Sequence, residues 1–263
     1  KLIFEIGELN VTDEQQANPL ASMAGKKFLY RQPEILTYDS HGGIGITPSE
    51  RPFDFVKNER SIPLTMVEIS SAQRHYPIVF SNIENPVPMA VLGLPGGGNL
   101  FIDENGQWDP DCYVPSYLRC YPFAFAAQED GSRALVLDRA AETITEDPRF
   151  PFFVVEEPSP EVRAVMQFVG EYEEERKRTG EFARLLVKHK VLDQMQANYT
   201  IEGSDEQKVL ATYVGINLQK LNALDSSVII ELHESGWLAP MYLMHYSMQC
   251  WRPLRLRAES QNT

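Results

Sequence analysis

The chain has 263 residues, 43% apolar and 10% aromatic, a composition that builds a buried core and excludes an unfolded chain. Its formal charge of -13 argues against nucleic acid, whose phosphates need a concentrated Lys/Arg surface, and against docking on an anionic membrane. Cys112, Cys120 and Cys250 form no CxxC pair and no disulfide framework, and no apolar run reaches the roughly 18–20 residues that cross a bilayer. This pattern fits a reducing, cytoplasmic compartment. Because the chain opens on Lys1, a cell-surface or periplasmic location is the alternative if an N-terminal segment is missing.

Residues 1–60 are the least regular part. "LIFEIGEL" reads as an edge strand, whereas "EQQANPLASMAGKK" and "DSHGGIGITPSERP" place Gly and Pro where periodicity should be. This stretch is expected to be an irregular N-terminal arm or lid. Residues 61–263 are expected to form a single domain, β-rich over 61–155 and helix-rich over 156–263.

From Ser61 the pattern tightens. "SIPLTMVEI" alternates like a half-buried strand, and "SSAQRH" reads as a short helix that Tyr76-Pro77 stops, since the residue before proline is driven out of the α region. "PIVF" emerges as a strand and "MAVLGL" as a fully buried one. "PGGG" turns the chain and "NLFID" runs back. The same grammar recurs: "VPSYLRC" is a helical turn, Tyr121-Pro122 stops it, "FAF" emerges, and "ALVLD" returns after an Asp-Gly turn. Each Arg-x-Tyr-Pro is therefore read as a helix-to-strand junction of a repeated unit, with both hairpins in one sheet.

The last hundred residues turn helical. Ser159 is an N-cap with Pro160 at the first helical position. Val162, Val165, Met166, Val169 and Tyr172 share one face, and "EEERKR" reads as a solvated one. Gly180 is expected to kink or split this helix. "MQANYTIEG" and "KVLATYVGI" predict a hairpin around Gly203, Asp225 or Ser226 caps a helix that Gly236 ends, and Pro240 starts a last helix through Met248.

No catalytic motif stands out. The five histidines lack HxH or HExxH spacing, so no metal is expected, and with neither a P-loop nor a dinucleotide fingerprint no other cofactor is expected. "LPGGGN", ending at Asn99, reads as a turn, or as a backbone nest for an anion. Arg74 and Arg119 carry two readings. Both guanidiniums converge on one small anionic ligand, or each caps carbonyls at its own helix end. Trp108 is open to groove or core. The candidate ligand-binding residues are therefore Arg74, Tyr76, Asn99, Trp108, Arg119 and Tyr121, with no catalytic residue assigned.

Several segments together resemble the SapC family of bacterial proteins, named from a surface-layer gene cluster. They include "SIPLTMVEISSAQRHYPIVF", "GLPGGGNLFIDENGQW" with "YVPSYLRCYPF", "FARLLVKHKVLDQMQ", and "GINLQKLNAL" through "ESGWLAPMYLMHYSM", together covering about residues 61–249. The chain has Arg-Cys before the second Tyr-Pro where the family pattern leads one to expect Arg-Arg, which leaves Arg119 alone there. The resemblance implies an association with a surface layer, and neighbourhoods with flavin halogenase-like proteins and outer-membrane receptors; it carries no catalytic residues. The expected fold is α+β, a largely antiparallel or mixed sheet covered by C-terminal helices. The expected function is a non-catalytic binding or assembly protein acting with a surface-layer or outer-membrane uptake system, its partner a protein or a small anionic ligand. The alternative is an accessory or catalytic subunit of an oxygenase-type enzyme that modifies a peptide or amino acid.

Overall fold

A computed structural model describes residues 28–128, 132–200 and 206–261. The expected edge strand "LIFEIGEL" lies outside these. In chain order the first half contains β1 (Pro33–Ile35), α1 (Tyr38–His41), β2 (Gly45–Ile46), β3 (Ser61–Pro63), α2 (Ile69–Ala72), β4 (Ile78–Phe80) and β5 (Pro88–Val91). There follow α3 (Ser116–Cys120), β6 (Phe123–Ala127), β7 (Arg133–Asp138), β8 (Ile144–Thr145), β9 (Phe150–Pro151), β10 (Phe153–Val154) and β11 (Glu157–Pro158). The rest is α4 (Pro160–His189), β12 (Leu192–Thr200), β13 (Gln207–Ile216), α5 (Leu218–Asn222), α6 (Ser226–Glu234), α7 (Leu238–Tyr246) and α8 (Trp251–Gln261).

The architecture is α+β, and among the described residues every strand pair is antiparallel. A five-stranded sheet runs β12-β13-β4-β5-β3, beside three-stranded sheets β1-β7-β6 and β8-β2-β9 and the ribbon β10-β11. The stretch expected to be an arm contributes, in its described part, β1 and β2 to two of these sheets.

The Tyr-Pro repeat has a structural basis. Pro77 and Pro122 immediately precede β4 and β6, each after a short helical turn, because proline ends the helix and supplies no donor to a ladder. Each first strand then pairs with a return strand in the same register, Ile78 facing Ala90 and Phe123 facing Leu137. A third strand lies on the far side of each return strand, giving β3-β5-β4 and β1-β7-β6. The units differ in three respects. They belong to two sheets rather than the expected one, because the second hairpin recruits β1 from far upstream. Arg119 lies within α3, whereas Arg74 lies beyond the end of α2. Tyr121–Pro122 is cis and Tyr76–Pro77 is not.

Two strand expectations are corrected. "SIPLTMVEI" is strand only at Ser61–Pro63, since the Thr65 amide and hydroxyl donate to Glu68 Oε2 at 2.8 and 2.7 Å and wind residues 66–68 into a 3-10 turn. "NLFID" forms a single bridge, Ile102 to Trp108.

The helix α4 runs unbroken for 30 residues through Gly180. A glycine costs a helix only about 1 kcal/mol relative to alanine. The stripe of Val162, Val169, Tyr172, Phe182 and Leu186, buried on both sides of it, holds the helix straight through. Ser159 caps the start, accepting from Val162 N–H at 3.3 Å. The charge run is not wholly solvated: Glu173 is buried and takes Arg176 Nε at 2.8 Å. The predicted hairpin is β12–β13, its turn at 201–205 lying outside the described residues. The C-terminal helices continue past the expected end at Met248 into α8. Ser247 joins them to the sheet, its hydroxyl accepting from Ile78 N–H at 2.9 Å and donating to Met244 O at 2.6 Å.

Candidate functional site

The six residues singled out from the sequence lie in and around an aromatic mesh. Tyr76 is buried, donates to the carbonyl of Tyr113 and meets the Phe101 ring edge-on at 4.7 Å. Burial raises its phenol pKa, so it stays a donor. Phe101 in turn stacks on buried Trp108 at 6.2 Å. Asn99 Oδ1 accepts from Phe101 N–H at 3.0 Å, and its own N–H donates to Lys57 O at 2.8 Å. Tyr121 stacks on Phe55 at 4.1 Å and donates to Asp138 Oδ2 at 3.0 Å.

Arg119 does not cap carbonyls. Its guanidinium donates to Ser116 Oγ at 2.7 Å and Tyr113 Oη at 3.2 Å, and lies 5.1 Å from the centre of the Phe168 ring. Arg74 is exposed beside His75, whose pKa is lowered by burial and then by Arg74 itself. Arg74 and Arg119 sit at junctions of different sheets.

Glu68 and Asp138 are buried carboxylates that the sequence does not single out. Glu68 Oε1 accepts from Ser116 N–H at 2.6 Å and Tyr113 Oη at 3.1 Å, in addition to the two bonds from Thr65. Asp138 accepts from Gln32 N–H at 2.8 Å, Arg31 N–H at 3.1 Å, Ala140 N–H at 3.2 Å and Tyr121. Each is fully provided with donors, which is the condition for burying a carboxylate. The signal for the first was present, since Thr65-x-x-Glu68 is a capping-box pattern.

The glycine cluster is a close backbone crossing. A Cβ on Gly93 would stand 2.0 Å from Gly98 O, and one on Gly98 would stand 2.6 Å from Lys57 O. Only glycine permits that approach.

A pocket opens elsewhere, and none of the six candidates lines it. The strand β13 is ten residues long and β4 three, and they share one pair, Val214 with Phe80. Beyond that pair the two strands part. The pocket, ≈ 290 Å³, lies between Thr212–Val214 on one side and Phe80–Glu84 on the other. Val79, Met89, Val91 and Trp251 supply apolar walls, with Trp251 5.6 Å from the Tyr213 ring. Ser61, Ser81, Asn82, Gln194 and Thr212 supply hydrogen-bonding groups, and among the described residues Arg60 and Glu84 are its charged lining residues. Apolar walls with a few polar groups are the usual make-up of a ligand pocket. No sequence motif marks it, because its walls come from segments between Arg60 and Trp251 and its opening from unequal strand lengths.

Among the described residues no three His, Cys, Asp or Glu side chains gather in a way that could hold a metal ion, and no helix is long and apolar enough to cross a membrane. The fold and pocket thus define an α+β protein with a mainly apolar cleft at a split in its largest sheet. The SapC family model matches residues 36–254, and the chain belongs to the SapC family. No curated protein and no solved structure matches it.

Proposed function

We propose that this chain is a non-catalytic binding protein that acts with a surface-layer or outer-membrane uptake system, and that the cleft between β4 and β13 is its ligand site. The observation that carries the reading is the pocket itself: apolar walls, hydrogen-bonding groups and, among the described residues, one charge of each sign. The chain's membership of the SapC family, a resemblance that implies a surface-layer association, is what supports that part of the reading. The ligand is a small or side-chain-sized group, largely apolar, with polar atoms that meet Ser61, Asn82 or Thr212. Arg119 contributes to the fold in this reading, because Ser116, Tyr113 and Phe168 already hold its guanidinium.

Calorimetric titration with N-acetylated amides of Phe, Leu, Met and Trp tests the site. At least one should bind the wild type, and Thr212→Trp, which fills the mouth with a strand-compatible ring, should abolish that binding. Equal binding by the two proteins would place the ligand elsewhere.

A further inference from the structure

The sheet is left unfinished at the pocket. On one edge β13 pairs with β12 out to Gln207, opposite Thr200. On the other edge its pairing with β4 stops at Val214, and among the described residues no backbone hydrogen bond reaches 207–213 from that side. The reason is local. After Phe80 the chain folds back on itself, with Ser81 N–H donating to Val87 O at 3.0 Å and Asn85 N–H to Asn82 Oδ1 at 2.6 Å. The segment that would have continued β4 is thereby withdrawn. What is left is a row of strand donors and acceptors bearing one charge, Lys208, and no proline, with Val209 55% exposed. An uncovered edge of this kind is a template for another strand.

We infer that this edge and the pocket together form a site for an extended peptide, which occupies the path β4 would have taken and places one apolar side chain in the pocket. The inference rests on the pocket being the ligand site. A peptide would continue a pairing already present: the register that sets Phe80 opposite Val214 places the next-but-one strand position opposite Thr212. Directly opposed residues of an antiparallel pair share a face. Thr212, Tyr213 and Val214 all line the pocket, as does Phe80 opposite Val214, so a side chain opposite Thr212 shares the face of Phe80 and enters the pocket beside it. Main-chain bonds then supply affinity and the pocket supplies specificity, the general mode of peptide addition to a sheet edge.

The probe is a library of acetylated, amidated pentapeptides with Phe, Leu, Met or Trp at the centre and Val, Thr, Ser or Lys around it, titrated against the whole chain. The best peptide should bind at least about tenfold more tightly than the N-acetylated amide of its own central residue. Methylating alternate peptide nitrogens should weaken binding about tenfold in one alternating set and little in the other, since only every second N–H faces β13. Equal affinity of peptide and single-residue amide, or equal effects of the two methylation sets, would overturn the strand inference and leave the pocket standing. Binding of neither peptide nor amide would overturn both.

Discussion

The backbone N–H of Val91 donates to the carbonyl oxygen of Pro77 at 2.9 Å. Asp138 makes the same bond to Pro122, also at 2.9 Å, so each hairpin closes on the proline that starts it. Proline has no amide hydrogen, but its carbonyl remains a full acceptor, and both units use it as the first rung of the ladder. The next residue inward, Ile78 or Phe123, is 1% or 3% exposed. Ile78→Ala should therefore cost about 2–5 kcal/mol and Phe123→Ala about 3–5 kcal/mol in urea denaturation. A loss below about 1 kcal/mol at either position would remove that hairpin from the core.

Glu68 and Asp138 are the buried carboxylates on which the loops converge. Glu68→Gln replaces an oxygen that takes two donors with an NH2 group that must face them, and Asp138→Asn does the same for either Gln32 and Ala140 or Arg31 and Tyr121. Each change should cost about 2–4 kcal/mol. Asp138→Asn should also speed amide hydrogen exchange in residues 31–36, which it ties to the second hairpin. Unchanged exchange there would show that β1 is held by its strand pairing alone.

The glycine cluster separates two readings by substitution. Gly93→Ala brings a methyl group to 2.0 Å from a backbone oxygen and should cost about 3 kcal/mol or more. Gly97→Ala meets nothing closer than 3.5 Å and should be tolerated within about 1 kcal/mol. Thermal melts of the two variants decide. An anion nest would instead make both variants stable and phosphate-insensitive where the wild type is stabilised by phosphate.

Much of this was legible locally. Ser159-Pro160 announces α4, and the two Tyr-Pro steps announce their hairpins, because caps and prolines act through the few residues beside them. Thr65-x-x-Glu68 is masked by the apolar alternation around it, which imitates a strand. Gly180 misled because whether a glycine breaks a helix depends on what buries the rest of it, here Tyr172 below and Phe182 above. The helix α8 was missed because "WRPLRLRAES" reads as a polar tail until Trp251 and Leu254 are seen to be buried. The pocket is non-local and left no trace: Thr212 and Ser81 are brought together by a strand that stops short.

Asp109 sets a pH dependence. Burial works against its charge, but the bond from Arg257 at 2.6 Å and the Asp111 N–H at 3.0 Å hold its folded pKa below the usual carboxylate range. A depressed folded pKa adds stability above the unfolded value, near about 3.9, and that stability is lost as pH falls through the lower folded value. Wild type should exceed Asp109→Asn in stability near neutral pH, and the gap should narrow as pH drops below about 4. A gap independent of pH would mean that the pair contributes packing and hydrogen bonds but no charge.

Ligands of the proposed site enter between β4 and β13 and do not sit on Arg74 or Arg119. Carbon-13 methyl spectra of the methionines, recorded with the arginine Nε–H and tryptophan indole signals, test it during titration with the tightest N-acetylated amide. The Met89 methyl and the Trp251 indole should move together and saturate while Arg74 and Arg119 stay still. Saturable shifts at Arg74 and Arg119 with a silent Met89 would contradict it.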